Sequence, residues 1–192
     1  FATGTPTFLV NLMKRQKYYI PKMENLSLNE SSTVYDLENL DPSALMLQTG
    51  YATIKDYRDG FYILGYPNQE VKISFTEQLL LSYSPPDRRN EISKSIFELS
   101  GLLGEEKFKE FFIELESIFA SIPYELSKQA KKNEAFFHTI FYLMLCASGA
   151  KTQNELLSSQ GRLDLVVHYP DKIVIIEFKV DQSADKALRQ IK

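Results

Sequence analysis

The feature that most constrains this chain is the stretch 136–147, FFHTIFYLMLCA. On a helix begun at Glu134 and closed by Gly149, its apolar side chains cover most of the circumference, so that helix must be largely buried. C-terminal to Gly149 the pattern turns toward sheet. Residues 152–157 are a polar strand candidate, 162–168 alternate, 173–178 form a solid apolar run, and 186–191 return to a helical pattern.

The N-terminal part reads differently. Thr5-Pro6 is an N-cap followed by proline at the first helical position, with Phe8, Leu9, Leu12 and Met13 at helical spacing. The polar stretch 25–33 reads as irregular, and Asp41-Pro42 repeats the helix-start signal before Leu45, Met46 and Leu47 lead to Gly50. The β-branched and aromatic runs 51–57 and 61–66, separated by Arg58-Asp59-Gly60, predict a hairpin. Asn68 then caps a helix whose face is Val71, Phe75, Leu79 and Leu80. Helix, helix, hairpin, helix resembles a winged-helix module.

Pro85-Pro86, inside the polar stretch 85–90, is the clearest break in composition and marks a linker. Beyond it, Ile92, Ile96, Phe97 and Leu99, then Phe108, Phe111, Phe112, Leu115 and Phe119, predict two amphipathic packing helices broken at Gly101 and Gly104. The expected fold class is α+β. Residues 1–84 form the winged-helix-like module, 85–125 a helical connector, and 126–192 a separate αβ domain.

Composition narrows the function classes. The 192 residues carry 22 Lys plus Arg against 25 Asp plus Glu, so no global positive field recruits nucleic acid, and any such binding is local. The single cysteine, Cys146, excludes a disulfide framework and a cysteine zinc site, which points to a reducing compartment, the cytoplasm. With only His138 and His168, a histidine zinc site is disfavoured as well. No run is long enough for a membrane span, and no Gly-x-x-x-x-Gly-Lys-Ser/Thr loop is present for ATP. The Phe1-Ala2-Thr3-Gly4 start and the helical pattern running to Lys192 read as the two ends of an excised piece.

The chemistry gathers in GRLDLVV at 161–167 and IVIIEFK at 173–179. Asp164 and Glu177 are 13 positions apart, and adjacent strands joined through Tyr169-Pro170-Asp171 bring the two carboxylates to one end of a sheet. Lys179, two residues after Glu177, lies on the same side by strand alternation. Two carboxylates and a lysine are the parts of metal-assisted phosphodiester hydrolysis, since hard oxygen ligands suit Mg²⁺ and a lysine offsets charge on the phosphorane. The bland reading makes them surface charges in which Glu177 pairs with Lys179 or Arg162.

Glu134 on an apolar helix, Glu155, Gly-Arg-Leu-Asp, Ile-Glu-Phe-Lys and an Ala-Leu-x-Gln-Ile helix together resemble the PD-(D/E)XK nuclease superfamily. More narrowly, Thr5-Pro6-Thr7-Phe8-Leu9, Gln48-Thr49-Gly50-Tyr51 and Leu64-Gly65-Tyr66-Pro67-Asn68 resemble bacterial ATPase-like proteins that end in such a domain. The resemblance covers nearly the whole chain. It implies a restriction-endonuclease-like αβ domain that continues past Lys192, behind a winged-helix-like lid of an AAA-type ATPase.

Carried over residue by residue, the resemblance makes Asp164, Glu177, Lys179 and Gln190 catalytic. It makes Asp164 and Glu177 the ligands of Mg²⁺ or Mn²⁺, with Glu155, and more weakly Glu134, as a further ligand. The superfamily's proline is replaced by Leu163. The implied partners are nucleic acid, DNA before RNA, and the protein's own N-terminal ATPase domain, through which alone ATP would act; a homo-oligomer is also compatible, and no membrane is involved.

Two other function classes compete: a regulatory module of the ATPase with a vestigial nuclease fold, and a DNA-binding winged helix with Lys55 and Arg58 on its wing. Lys128, Lys131 and Lys132 form a basic cluster that reads as a solvated face.

Overall fold

A computed structural model describes residues 7–15, 26–29, 41–122, 134–158, 161–178 and 188. It is a mixed helix and sheet structure of the α+β kind. The chain divides into two compact units, Phe1–Gln78 and Leu79–Lys192, and the division falls inside a helix ahead of Pro85-Pro86.

In the first unit the order is α1 (Thr7–Arg15), β1 (Leu26–Asn29), α2 (Pro42–Gln48), β2 (Thr53–Arg58), β3 (Phe61–Gly65) and the start of α3 (Gln69–Leu81). Asp41 caps α2 by accepting the Ser43 N–H at 2.7 Å, with Pro42 at the first helical position where its missing donor costs nothing. Asn68 caps α3 through the Val71 N–H at 2.9 Å. The β2–β3 hairpin turns through Asp59 and Gly60, both at positive φ (51° and 84°), which is the left-handed pair that a twisted two-residue hairpin demands.

The sheet order is β1-β3-β2, all antiparallel. β1 is a departure from the sequence reading, which takes 25–33 as irregular. Leu26 and Leu28 are buried and Ser27 and Asn29 exposed, so four residues of strict alternation are enough to complete the sheet against β3. On the other side, the register shifts between Ile54 and Asp56 of β2, a bulge of the kind that blunts an edge strand.

The second unit begins with the end of α3, where Leu79 and Leu80 are fully buried. A 3₁₀ turn at Pro86–Arg88 runs straight into α4 (Arg89–Gly104), followed by α5 (Phe108–Ser121), α6 (Glu134–Ala147), β4 (Lys151–Ser158), β5 (Gly161–His168) and β6 (Ile173–Ile176). All eight residues from Ile140 to Ala147 are buried, as the apolar circumference of that stretch requires. Gly149 at φ 82° ends α6, with the Ala150 N–H returning to the Leu145 carbonyl at 3.1 Å. Cys146 is buried, its Sγ 3.2 Å from the Thr152 hydroxyl.

The helical faces are narrower than the apolar pattern predicts. α4 buries Ile92, Ile96, Leu99 and Leu103 but leaves Phe97 81% exposed, and α5 buries Phe111, Leu115 and Ile118 but exposes Phe108 and Phe112. Neighbouring positions sit about 100° apart on a helix, so Phe97 cannot share the face of Ile96. α1 likewise buries Leu9, Val10 and Met13 and exposes Phe8. Gly101 does not break α4, because one glycine costs about 1 kcal/mol and the buried Leu99 and Leu103 on either side outweigh it.

β4, β5 and β6 form an antiparallel sheet in that order. The β5–β6 turn is moored to the end of α4: the Tyr169 hydroxyl donates to the Ser100 carbonyl at 2.8 Å, and Lys172 pairs with Glu106 at 2.7 Å. Burial pushes the Tyr169 hydroxyl pKa up, and the Glu106 carboxylate raises that of Lys172 by stabilising the ammonium. Among the described residues, no helix is long and apolar enough to cross a membrane.

Gly104 tests this mooring. A Cβ there would stand 2.7 Å from Cε1 of Tyr169, whose ring is pinned by its hydroxyl. Gly104→Ala should destabilise the protein by about 1–3 kcal/mol through overpacking, read as a lowered urea midpoint at unchanged slope.

Candidate active site

The site is built from the β5–β6 ladder upward. Leu165 pairs with Ile176, Val166 with Ile175, Val167 with Val174 and His168 with Ile173, and Asp164 and Glu177 are the residues that adjoin the last of these pairs. On β4, the pairs Asn154–Leu165 and Leu156–Leu163 place the backbone of Glu155 on the other side of Asp164. Glu155 thus flanks Asp164 on β4, and Glu177 follows the last residue of β6 at the same end of the sheet.

The ladder ends at Leu165–Ile176, and beyond it a side chain takes over from the backbone. Oδ2 of Asp164 accepts the Phe178 N–H at 3.0 Å, which ties the aspartate to the residue directly after Glu177. Asp164 and Glu177 are both half-buried, and Oε2 of Glu177 is shielded from solvent.

Phe178 is held from its other side. Its ring centroid lies 5.1 Å from that of His138 at a 44° tilt and 5.0 Å from that of Phe141 in an edge-to-face contact. Both partners are buried on α6. Sequence reasoning treats His138 as structural and passes over Phe141 and Phe178. The available signal was the tripeptide Glu-Phe-Lys itself, whose apolar middle residue must face the core if the charged residues flanking it face away.

The remaining candidates are placed less fully. Lys179 and Gln190 lie outside the described residues, as does the Lys128, Lys131 and Lys132 cluster; Glu134 opens α6, and of 186–191 only Leu188 is described, as helical and exposed. Among the described residues, no group of three or more His, Cys, Asp or Glu side chains could hold a metal ion. Asp164 and Glu177 are nevertheless hard oxygen donors of the type that suits Mg²⁺ or Mn²⁺.

Comparison with known proteins bears on this same segment. The family model of the PD-(D/E)XK nuclease superfamily matches residues 132–192, which spans α6, the β4–β5–β6 sheet and both ladder carboxylates. Residues 132–192 are a PD-(D/E)XK nuclease superfamily domain. Over its whole length the chain is 32% identical, across 201 aligned residues, to a protein of Azotobacter chroococcum mcd 1 described as an uncharacterized protein in the vnfD 5′ region. The chain spans 39% of the length of that curated relative. No solved structure matches the chain. Proteins of the PD-(D/E)XK superfamily typically use divalent metals and act on nucleic acid.

The bond from Phe178 to Asp164 makes a stability prediction that is independent of activity. Asp164→Ala leaves a half-buried N–H without its acceptor and should cost about 1–3 kcal/mol in urea unfolding. Asp164→Asn keeps an acceptor oxygen and should cost less than the alanine variant.

Proposed function

We propose that the PD-(D/E)XK domain of this chain is a metal-dependent nuclease that hydrolyses phosphodiester bonds of nucleic acid, DNA before RNA. The observation that supports the reading is that Asp164 and Glu177 adjoin the last pair of the β5–β6 ladder, with Asp164 tied to the Phe178 N–H. Both residues lie within the segment that the family model matches.

In this reading Asp164 and Glu177 hold Mg²⁺ or Mn²⁺, and Glu155, opposite Asp164 on β4, is the nearest further ligand by register. A divalent cation held there would supply positive charge to the scissile phosphate and make the attacking water more acidic. Lys179 orients the attacking water and offsets the charge that develops on phosphorus, and Gln190 is the further residue that the resemblance makes catalytic. Water adds to phosphorus, the bond to one sugar oxygen breaks, and that oxygen departs with a proton.

The first unit fits a supporting role. α1, α2 and α3 with the β1-β3-β2 sheet and its Asp59-Gly60 hairpin support a winged-helix-like module over 1–84, followed by a connector over 85–125. By the resemblance, we assign it as the lid of an AAA-type ATPase, in a cytoplasmic, self-associating protein. The wing itself is a poor reader of DNA, because Arg58 is engaged by Asp56 and Lys55 donates to the Pro67 carbonyl at 3.4 Å.

The test uses the full-length protein with Mg²⁺ or Mn²⁺ and duplex and single-stranded substrates. Lys179→Ala should abolish cleavage while the protein stays folded, read by circular dichroism. Asp164→Asn should remove metal binding together with cleavage, and chelation by EDTA should silence the wild type. Absence of cutting with either metal, or cutting that survives both substitutions, defeats the assignment in favour of a regulatory module.

A further inference from the structure

We infer that Phe178 is a positioning residue of this site: held by α6 through its ring, it sets the Asp164 carboxylate through its main-chain N–H. The inference rests on the nuclease reading above and goes beyond it by naming what fixes the metal-binding geometry.

An aspartate's terminal torsion is soft, so a carboxylate at the end of a strand samples many orientations unless something selects one. Here the selecting contact is the Phe178 N–H on Oδ2 at 3.0 Å. Among the described residues no donor reaches Oδ1, so one oxygen is committed and the other is available to a cation. Phe178 also follows Glu177 directly, so the same bond sets the spacing between the two carboxylate-bearing segments.

The N–H is only as fixed as the backbone that carries it, and Phe178 lies beyond Leu165–Ile176, the last pair of the ladder. Its ring anchors it there. His138 and Phe141 are three residues apart on α6, hence neighbours on one helix face, and the Phe178 ring meets both at about 5 Å. Tilted and edge-to-face aromatic contacts of this kind favour a defined geometry beyond simple area burial. Shifting Phe178 therefore means unpacking the most buried helix of the unit. The chain of control runs from α6 to the Phe178 ring, from the ring to its N–H, and from there to the carboxylate. Partners that orient a metal ligand in this way typically carry 10–100-fold in metal affinity.

If Phe178 were only a core filler, its substitution would lower stability and leave metal affinity in the folded variants unchanged. The experiment is Mn²⁺ binding by electron paramagnetic resonance on the full-length protein, with circular dichroism melts on the same samples, for wild type, Phe178→Tyr, Phe178→Leu, Phe178→Ala and Asp164→Ala. Phe178→Tyr should bind as wild type. Phe178→Leu should be folded and bind Mn²⁺ at least tenfold more weakly, with cleavage returning as Mn²⁺ is raised. Wild-type Mn²⁺ affinity in folded Phe178→Leu or Phe178→Ala overturns the inference and leaves the nuclease reading standing.

Amide hydrogen exchange supplies an arm free of metal. The Phe178 N–H should be protected in the wild type and exchange faster in Asp164→Ala; equal exchange in the two removes the bond on which the inference stands. Mn²⁺ binding that survives Asp164→Ala, or a wild type that binds none, instead defeats the nuclease reading.

Discussion

A helix that is apolar around most of its circumference has to be enclosed, and α6 sets the terms for everything C-terminal to Gln78. Fully burying a large apolar side chain is worth about 1.5–3 kcal/mol, and Ile140, Phe141, Leu143, Met144 and Leu145 all reach that state in one continuous segment. Cover comes from α4 on one side and from the sheet that begins at β4. The sheet answers in kind, because Leu165, Val166 and Val167 are buried in succession on its middle strand. A middle strand covered on both faces is what lets an apolar run carry one acidic residue at its end without exposing the rest.

How far this was legible in the sequence depends on the range of the interaction concerned. Helix starts and hairpin turns are decided by a few adjacent residues, so Asp41-Pro42, Asn68 and Asp59-Gly60 could be read directly, and each cap or turn residue does in the structure what its chemistry suggests. The strand β1 could not be read that way. Leu-Ser-Leu-Asn is too short to stand out among polar neighbours, and it becomes a strand only because β3 offers it a partner. The exposure of Phe97, Phe108 and Phe112 is a similar case: hydrophobicity marks those positions, but the direction of the neighbouring helix decides which of them is inside.

The site divides along the same line. That two runs separated by Tyr169-Pro170-Asp171 lie beside one another follows from turn chemistry and alternation. That the Asp164 carboxylate takes the Phe178 N–H does not, since it depends on where β6 leaves the ladder and on which ring α6 presents there. The mooring of the turn on α4 by Tyr169 and Lys172, some 66–69 positions away in sequence from its partners, is longer in range still. Lys179 and Gln190 belong to the sequence and family arguments alone.

The acidic positions of the site also carry an argument about purpose. Asp164 and Glu177, both half-buried, adjoin the point where the β5–β6 ladder ends, and acids gathered on neighbouring strands repel one another unless a donor or a cation offsets their charge. One carboxylate would be enough to accept the Phe178 N–H, and an asparagine would do so without a charge. Accepting that N–H therefore does not by itself call for further acids in the neighbouring segments, Glu177 after β6 and Glu155 on β4. Acids that packing alone does not call for collect at functional sites, where an oppositely charged ligand offsets them. A divalent cation has the charge and the ligand preference to do that, and a stretch of sheet serving only as packing does not call for one.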